Sequence, residues 1–281
     1  MSVKIIAEIG INHNGSLEIA KKLIDVASIA GCDYVKFQKR NPDVCVPENE
    51  KNKIKDTPWG KMTYLEYKHK IEFGYEEFKQ IDEYCKEKNI GWFASVWDID
   101  SVNFMKQFKT KLNDEYKVIM KIPSALITNI ELMEYTKKNC DFLMISTGMS
   151  TETEIEIAVK ISNPNLIFHT NSTYPSPVKD LNLGYIKWLQ EKYKNSEIGY
   201  SGHEFGLTTT FGSVVLGATW IERHITLDRS MWGSDQVASV EPGGLIKLVK
   251  GIKDLEISST GYGKRIVSES ELIKRKILRG E

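Results

Sequence analysis

Short apolar runs recur along the chain, each closed off by polar or glycine-containing segments: 4–7, 33–36, 92–94, 119–121, 142–145, 166–168, 198–200 and 220–222. Runs this short read as buried strands. Between them the apolar positions change to a helical spacing. From about Leu17, the residues Ala20, Leu23, Ile24 and Ala27 fall on one face, with Ser16 placed to cap the start and Gly31 to end it. Phe78, Ile81, Tyr84 and Cys85 mark the next helix. Further helical stretches fall at about 101–108, 130–138, 152–161, 181–193, 205–216 and 243–256. Residues 40–70 contain Pro42, Pro47 and Pro58 and read as a long loop that shapes a lid or one wall of a site.

Eight strands, each followed by helix-like sequence within roughly 250 residues, are the pattern of an α/β protein of the (β/α)8 TIM-barrel type. A doubly wound open sheet would place a glycine-rich phosphate loop after strand one, and the loop there is Gly10-Ile11-Asn12-His13-Asn14-Gly15, which does not fit GxGxxG. Composition narrows the function classes. Lys plus Arg and Asp plus Glu are 38 each, so no general attraction to nucleic acid or to anionic membranes is expected. No apolar run is long enough to span a bilayer, and the first residues lack the order of a signal peptide. Cys32, Cys45, Cys85 and Cys140 are scattered with no CxxC pair, as expected of reduced thiols in a cytoplasmic protein.

Active sites of barrels sit at the C-terminal ends of the strands. The residues there are Glu8, Lys36 with Gln38, Ser95, Lys121 with Ser124, Ser146 with Thr147, Thr170 with Ser172 and Tyr174, Ser201 with His203, and His224. A lone lysine in such a place usually snorkels to solvent, and a lone histidine is usually a satisfied structural residue. Two lysines and several hydroxyls around one mouth instead form a cradle for anionic groups such as phosphate and carboxylate. His203 and His224 follow neighbouring strands, so their imidazoles can share a divalent metal. Glu8, inside an apolar run, needs a partner for its charge and can serve as a further ligand, acid or base. His13 and His69 lie in loops and read as solvent-facing or substrate-rim residues, whereas His169 reads as core. The aromatic stretch 92–97 reads as packing and a pocket wall, and Gly261-Tyr262-Gly263 as a turn.

Several motifs carry a closer resemblance. AEIGINHNG from Ala7, VKFQ from Val35, WGK with LEYKHKIEF from Trp59 to Phe73, STGM from Ser146, TYPSP from Thr173, GYSGHE from Gly199, ERHITLDR from Glu222 and WGSDQ from Trp232 resemble, in order, the sialic acid (nonulosonate) synthases. The resemblance implies a (β/α)8 barrel that joins phosphoenolpyruvate to the open-chain aldehyde of an N-acylated hexosamine, or its 6-phosphate, with Mn2+ or a similar ion such as Mg2+ or Co2+. It implies that His203 and His224 bind the metal. Lys36, Ser95, Lys121, Ser124, Ser146, Ser172 and Ser201 would hold phosphoenolpyruvate, and Glu8, Gln38, Tyr174 and Asp235 would face the sugar. Glu8 would position or move a proton.

Two features depart from the family pattern. Leu126 stands where the family usually has an acidic residue that touches the sugar. Most members also continue into a small antifreeze-like domain; here the expectation is a catalytic barrel over 1–260 and a tail or linker over 261–281. The partners expected are small-molecule substrates and a second copy in a homodimer, with neither nucleic acid nor membrane. A Schiff-base aldolase using Lys36 or Lys121, a synthase acting on a different aldose, a metal-dependent hydrolase and a non-enzymatic binding barrel are the competing readings.

Overall fold

Residues 2–259 and 265–280 are described by the structure, a computed structural model. Eight parallel strands close into a barrel: β1 Lys4–Gly10, β2 Tyr34–Lys39, β3 Gly91–Val96, β4 Ile119–Ile122, β5 Phe142–Ser146, β6 Leu166–Thr170, β7 Glu197–Gly202 and β8 Trp220–His224. Each strand pairs with the next in sequence, and β8 closes on β1. The fold expected from the apolar runs is therefore the fold observed. No described helix is long and apolar enough to cross a membrane.

Side-chain alternation divides the strands between two environments. Ile6, Tyr34, Phe93, Ile119, Phe142, Met144, Leu166, Phe168 and Trp220 fill the barrel interior. The residues between them, such as Ile5, Ala7, Val35 and Ile221, pack outward against the helices in the larger cluster. Fully burying a large apolar side chain contributes roughly 1.5–3 kcal/mol. The interior is therefore a solid plug, and only the residues one step nearer the C-terminal ends are left to form a site. In the helix Leu17–Ala30, Ser16 Oγ accepts the Ile19 N–H at 3.3 Å, and Gly31 takes a left-handed φ of 86° that L side chains disfavour.

Four sequence expectations need correction. Residues 40–70 are ordered: the one-turn helices Pro42–Cys45 and Glu48–Lys51, an antiparallel hairpin of Ile54–Thr57 with Gly60–Thr63, and the helix Tyr64–Ile71 begun by a capping box at Thr63 and Glu66. The helix expected at 101–108 is Ile99–Met105, and a second hairpin, Thr110–Leu112 with Glu115–Lys117, follows it and turns Leu112 into the barrel's interior cluster. The stretch 181–193 is helical only over Tyr185–Lys192, because the chain first makes a 3-10 turn at Val178–Asp180. His13 is buried rather than at the rim. It stacks on Phe73 with centroids 4.1 Å apart, and its Nδ1 accepts the Gly15 N–H at 3.0 Å.

His169 is buried and bonded to the Leu181 carbonyl at 2.7 Å, while His69 is exposed beside Asp43. Within 261–281, Glu269–Arg279 is a helix exposed on all sides, and the turn at Gly261 lies outside the described residues.

Candidate active site

Four charged groups meet at the top of the interior plug. Register places Glu8 opposite Lys36 and His224, Ser95 opposite Lys121, and Ser201 opposite Glu222. Lys121 Nζ reaches both oxygens of Glu222 at 2.8 Å and stands 4.2 Å above the Phe168 ring. Lys36 Nζ lies 2.9 Å from Ser95 Oγ, 2.9 Å from Glu8 Oε2 and 3.6 Å from Glu222 Oε1. All four are at most 3% exposed. The Lys36–Glu8 contact is an ion pair by distance, yet its angle leaves Glu8 Oε2 without a formed hydrogen bond.

Burial and charge pull these groups in different directions. For Glu8, burial dominates and raises the carboxyl above its ordinary range despite Lys36 and His224. For Glu222, burial is outweighed by Lys121 and Lys36, which hold it well below that range. Lys121 is lowered to about 8, first by burial, against the pull of Glu222. Burial would lower Lys36 too, but Glu222 and Glu8 overcome it and raise the ammonium. Two carboxylates in one pocket thus carry different protonation tendencies, the arrangement that separates acid–base roles.

Above the quartet stand the imidazoles. His203 and His224 are 5.3 Å apart between ring centroids, and Tyr174 stacks on His203 at 4.1 Å. His203 Nδ1 lies 2.6 Å from the Asn171 carbonyl, which requires the proton on Nδ1 and leaves the Nε2 lone pair to accept from the Tyr174 hydroxyl at 3.0 Å. Burial, then the His224 charge, lowers His203 to about 3, so it stays neutral. His224 Nδ1 is buried with no hydrogen-bond partner among the described residues, and Asp235 Oδ2 lies 3.7 Å from it.

No three His, Cys, Asp or Glu groups among the described residues converge into a preformed metal cage. Even so, a neutral imidazole fixed by a carbonyl, a second one with an orphaned buried nitrogen, and an adjacent carboxylate fit a divalent ion.

Opposite the imidazoles is a cradle of hydroxyls. Ser124 Oγ accepts the Gly148 N–H at 3.2 Å, and Ser146 Oγ is buried without a partner among the described residues. A Cβ at Gly148 would lie 2.0 Å from Ser172 Oγ and 2.8 Å from Ser124 Oγ, so only glycine fits there. The hydroxyls and ammoniums surround a cavity of about 190 Å3. A larger cavity, about 520 Å3, opens at the other end of the barrel, but Lys4, Asp33, Asp82, Lys86, Lys111 and Asp114 in its walls are paired with one another. The smaller one instead gathers Glu8 Oε2, Ser146 Oγ and His224 Nδ1, which have no hydrogen-bond partner among the described residues.

Of the residues singled out in the sequence, Glu8, Lys36, Gln38, Ser95, Lys121, Ser124, Ser146, Ser172, Tyr174, Ser201, His203 and His224 all line that cavity, and Asp235 flanks it through His224. Leu126 does not line it. It is half-buried in a neighbouring pocket with Val44, Cys45 and Trp97. Sequence reasoning missed Glu222. Its signal was parity: in β8, Trp220, Glu222 and His224 alternate inward, so an acid two residues before a candidate ligand had to face the same mouth.

A closed barrel whose C-terminal mouth gathers two lysine ammoniums, two buried imidazoles and spare hydroxyls defines a barrel enzyme for anionic small molecules. Residues 23–264 match the NeuB family. The chain is 38% identical over 265 residues to N-acetylneuraminate-9-phosphate synthase of Drosophila melanogaster, covering 92% of this chain and 69% of that protein. It is 34% identical over 280 residues to N,N'-diacetyllegionaminic acid synthase of Campylobacter jejuni, covering 95% and 80%. The crystal structure of N-acetylneuraminic acid synthetase from Leptospira borgpetersenii, in complex with citrate, superposes with a TM-score of 0.83 at 34% identity, covering 100% of this chain and 94% of the other. This chain belongs to the NeuB family.

Proposed function

We propose that the barrel condenses phosphoenolpyruvate with the open-chain aldehyde of an aldose, an N-acylated hexosamine or its 6-phosphate, giving a nonulosonic acid and inorganic phosphate. One observation carries the reading: Lys36, Lys121, His203 and His224 converge on a single buried cavity beside a serine cradle with unused hydrogen-bonding capacity. Names of the relatives agree, since each is a synthase of a sialic-acid-like product.

Phosphoenolpyruvate brings a carboxylate and a phosphate. Lys36 and Lys121 match those charges, and Ser95, Ser124, Ser146, Ser172 and Ser201 line the same cavity and supply hydrogen bonds. Glu222 keeps the two ammoniums charged and in place until the substrate's anions share them. Gln38, Tyr174 and Asp235 line the side on which the aldose enters. The carbon–carbon bond forms from C3 of the enolpyruvate to the aldehyde carbon, water adds at C2, and phosphate leaves. Glu8, raised by burial, holds the proton that the aldehyde oxygen takes up, or accepts one from the water. His203 and His224, with Asp235 beside them, would hold the metal, Mn2+ or a similar ion. When bound, it supplies Lewis-acid polarisation of the aldehyde carbonyl.

In this reading residues 1–260 form the catalytic domain and 261–281 a tail or linker. The four free cysteines suit a cytoplasmic protein, and a homodimer is carried over from the family resemblance. The test is phosphate release that requires phosphoenolpyruvate, an aldose and a divalent ion together. Release without the aldose, or undiminished by a chelator, would sink the reading. Borohydride trapping with pyruvate separates it from a Schiff-base aldolase, which would lose activity through modification of Lys36 or Lys121.

A further inference from the structure

Along β2 the inward positions are Tyr34, Lys36 and Gln38, and the same parity carries one residue past the strand to Arg40. Tyr34 ends in the interior plug, Lys36 in the charged quartet and Gln38 in the cavity wall. Arg40 is buried, and its guanidinium lies 4.4 Å over the Trp97 ring. Its backbone N–H donates to Glu72 Oε1 at 3.1 Å, and the same oxygen takes Lys39 Nζ at 2.8 Å, which holds the start of the β2–β3 segment in place.

From this fixed position the Arg40 guanidinium donates to Gln38 Oε1, and Gln38 Nε2 donates to Glu8 Oε1 at 3.3 Å. A guanidinium has no acceptor atom, so the Gln38 atom that faces it has to be the oxygen. The amide nitrogen is thereby aimed at Glu8. Without such a neighbour the amide can turn over, because its two ends have nearly the same shape. Turned over, Gln38 would present its oxygen to Glu8 and accept the carboxyl proton in a hydrogen bond. A Cβ at Gly10 would come within 3.1 Å of Glu8 Oε1 and 3.2 Å of Gln38 Nε2, so glycine there leaves the contact its room.

We propose that Arg40 is a positioning residue: by occupying Gln38 Oε1 it fixes the amide as a donor to Glu8, so that Gln38 cannot take the Glu8 proton and the proton is kept for the substrate. The inference rests on the condensing reading above, in which Glu8 gives a proton to the aldehyde oxygen, and it names what sets the direction of that transfer. As the carbon–carbon bond forms, the proton passes from the Glu8 carboxyl to the aldehyde oxygen, and a carboxylate is left behind. A donated N–H bonds a carboxylate more strongly than a neutral carboxyl, so the orientation that Arg40 imposes favours the state in which the proton has gone. The reversed amide would favour the state before transfer.

The test is a double-mutant cycle on phosphate release by the full chain. Arg40→Met should lower kcat about tenfold, the worth of one hydrogen bond, and leave KM for phosphoenolpyruvate unchanged. In a Gln38→Met background the same substitution should cost less than about twofold, because the group it acts through is gone. Arg40→Lys, whose ammonium also donates and never accepts, should recover part of the loss. Gln38→Glu should be slower than Gln38→Met, because it sets an oxygen against Glu8 where the amide nitrogen stood. A second readout needs no turnover. With isotope-labelled glutamine, the Gln38 side-chain amide signal, identified by its loss in Gln38→Met, should exchange its hydrogens at least about tenfold faster in Arg40→Met than in the unaltered chain.

Equal losses from Arg40→Met in the two backgrounds would overturn the proposal, and so would unchanged exchange at Gln38 in that variant. So would a Gln38→Glu protein as fast as Gln38→Met, a comparison that stands whether or not the Arg40 variants fold. Absence of phosphate release with every aldose would instead sink the condensing reading, while the exchange measurement still reports whether Arg40 orients Gln38.

Discussion

Two buried clusters of carboxylates and cations share β7 and β8 and are built from the same residue types, yet they differ in how completely they are satisfied. On the outer face, Glu204 Oε1 accepts from Thr209 at 2.7 Å, Thr210 at 3.1 Å and Arg223 at 3.3 Å, and Oε2 accepts from Tyr200 at 2.9 Å. Arg223 also donates to the Glu204 and Gly206 carbonyls at 2.6 and 3.0 Å, which clamps the turn just after His203. Inside the barrel, Glu8, Lys36, Lys121 and Glu222 are equally buried, but Glu8 Oε2, Ser146 Oγ and His224 Nδ1 are left over, and a cavity opens above them. Glu222 and Arg223 are consecutive residues that face opposite sides of one strand. On the outer face both oxygens of Glu204 are satisfied and Arg223 Nε alone is left over among that cluster's described residues. A pair so nearly closed holds structure, whereas one that leaves several groups over beside a cavity is poised to receive a ligand.

The comparison can be broken at several points. The largest effect is expected inside: His203→Ala or His224→Ala should reduce phosphate release by at least about a thousandfold while the thermal midpoint hardly moves. Activity within tenfold of normal would remove the imidazoles from the chemistry. On the outer face the effect should fall on stability. Glu204→Ala leaves Arg223 buried without its carboxylate, so urea unfolding should show a loss of about 3–5 kcal/mol; a loss below about 1 kcal/mol would mean the outer pair is not structural. Lys121→Met should raise KM for phosphoenolpyruvate about ten- to a hundredfold, with Lys36, 3.6 Å from Glu222, the remaining cation beside that carboxylate. An unchanged KM would show that Lys121 serves Glu222 alone.

Acid should test burial itself. His13 is lowered to about 3 by burial, against an ordinary value of 6.5. Between those values the unfolded chain binds a proton there that the folded chain does not, so stability is complete above pH 6.5 and falls as pH drops toward 3. The slope approaches about 1.4 kcal/mol per pH unit for one such proton. His13→Asn should flatten the dependence of the urea midpoint on pH by that share, and an unaltered slope would place the titration elsewhere. Smallest of all, Ser201→Ala removes one 3.1 Å hydrogen bond to Glu222 and should cost about 1 kcal/mol.

The barrel and most of its mouth were legible in the residues alone. Each interior strand is a short apolar run, a property of near neighbours, and once eight such runs alternate with helices their C-terminal ends must share a rim. That reasoning reached Glu8, Lys36, Lys121, His203 and His224 without a contact being known. It did not reach what depends on closure. Glu222 became a central counter-ion only when β8 met β7 and faced β4 across the interior, and His13 became buried only when Phe73, sixty residues on, covered it. The hairpins at 54–63 and 110–117 were hidden because such short two-stranded ribbons carry little apolar periodicity. Local pattern determines which element forms and which side it buries, whereas partners distant in sequence, joined by the closing of the sheet, decide which charges are paired and which are left open to a ligand.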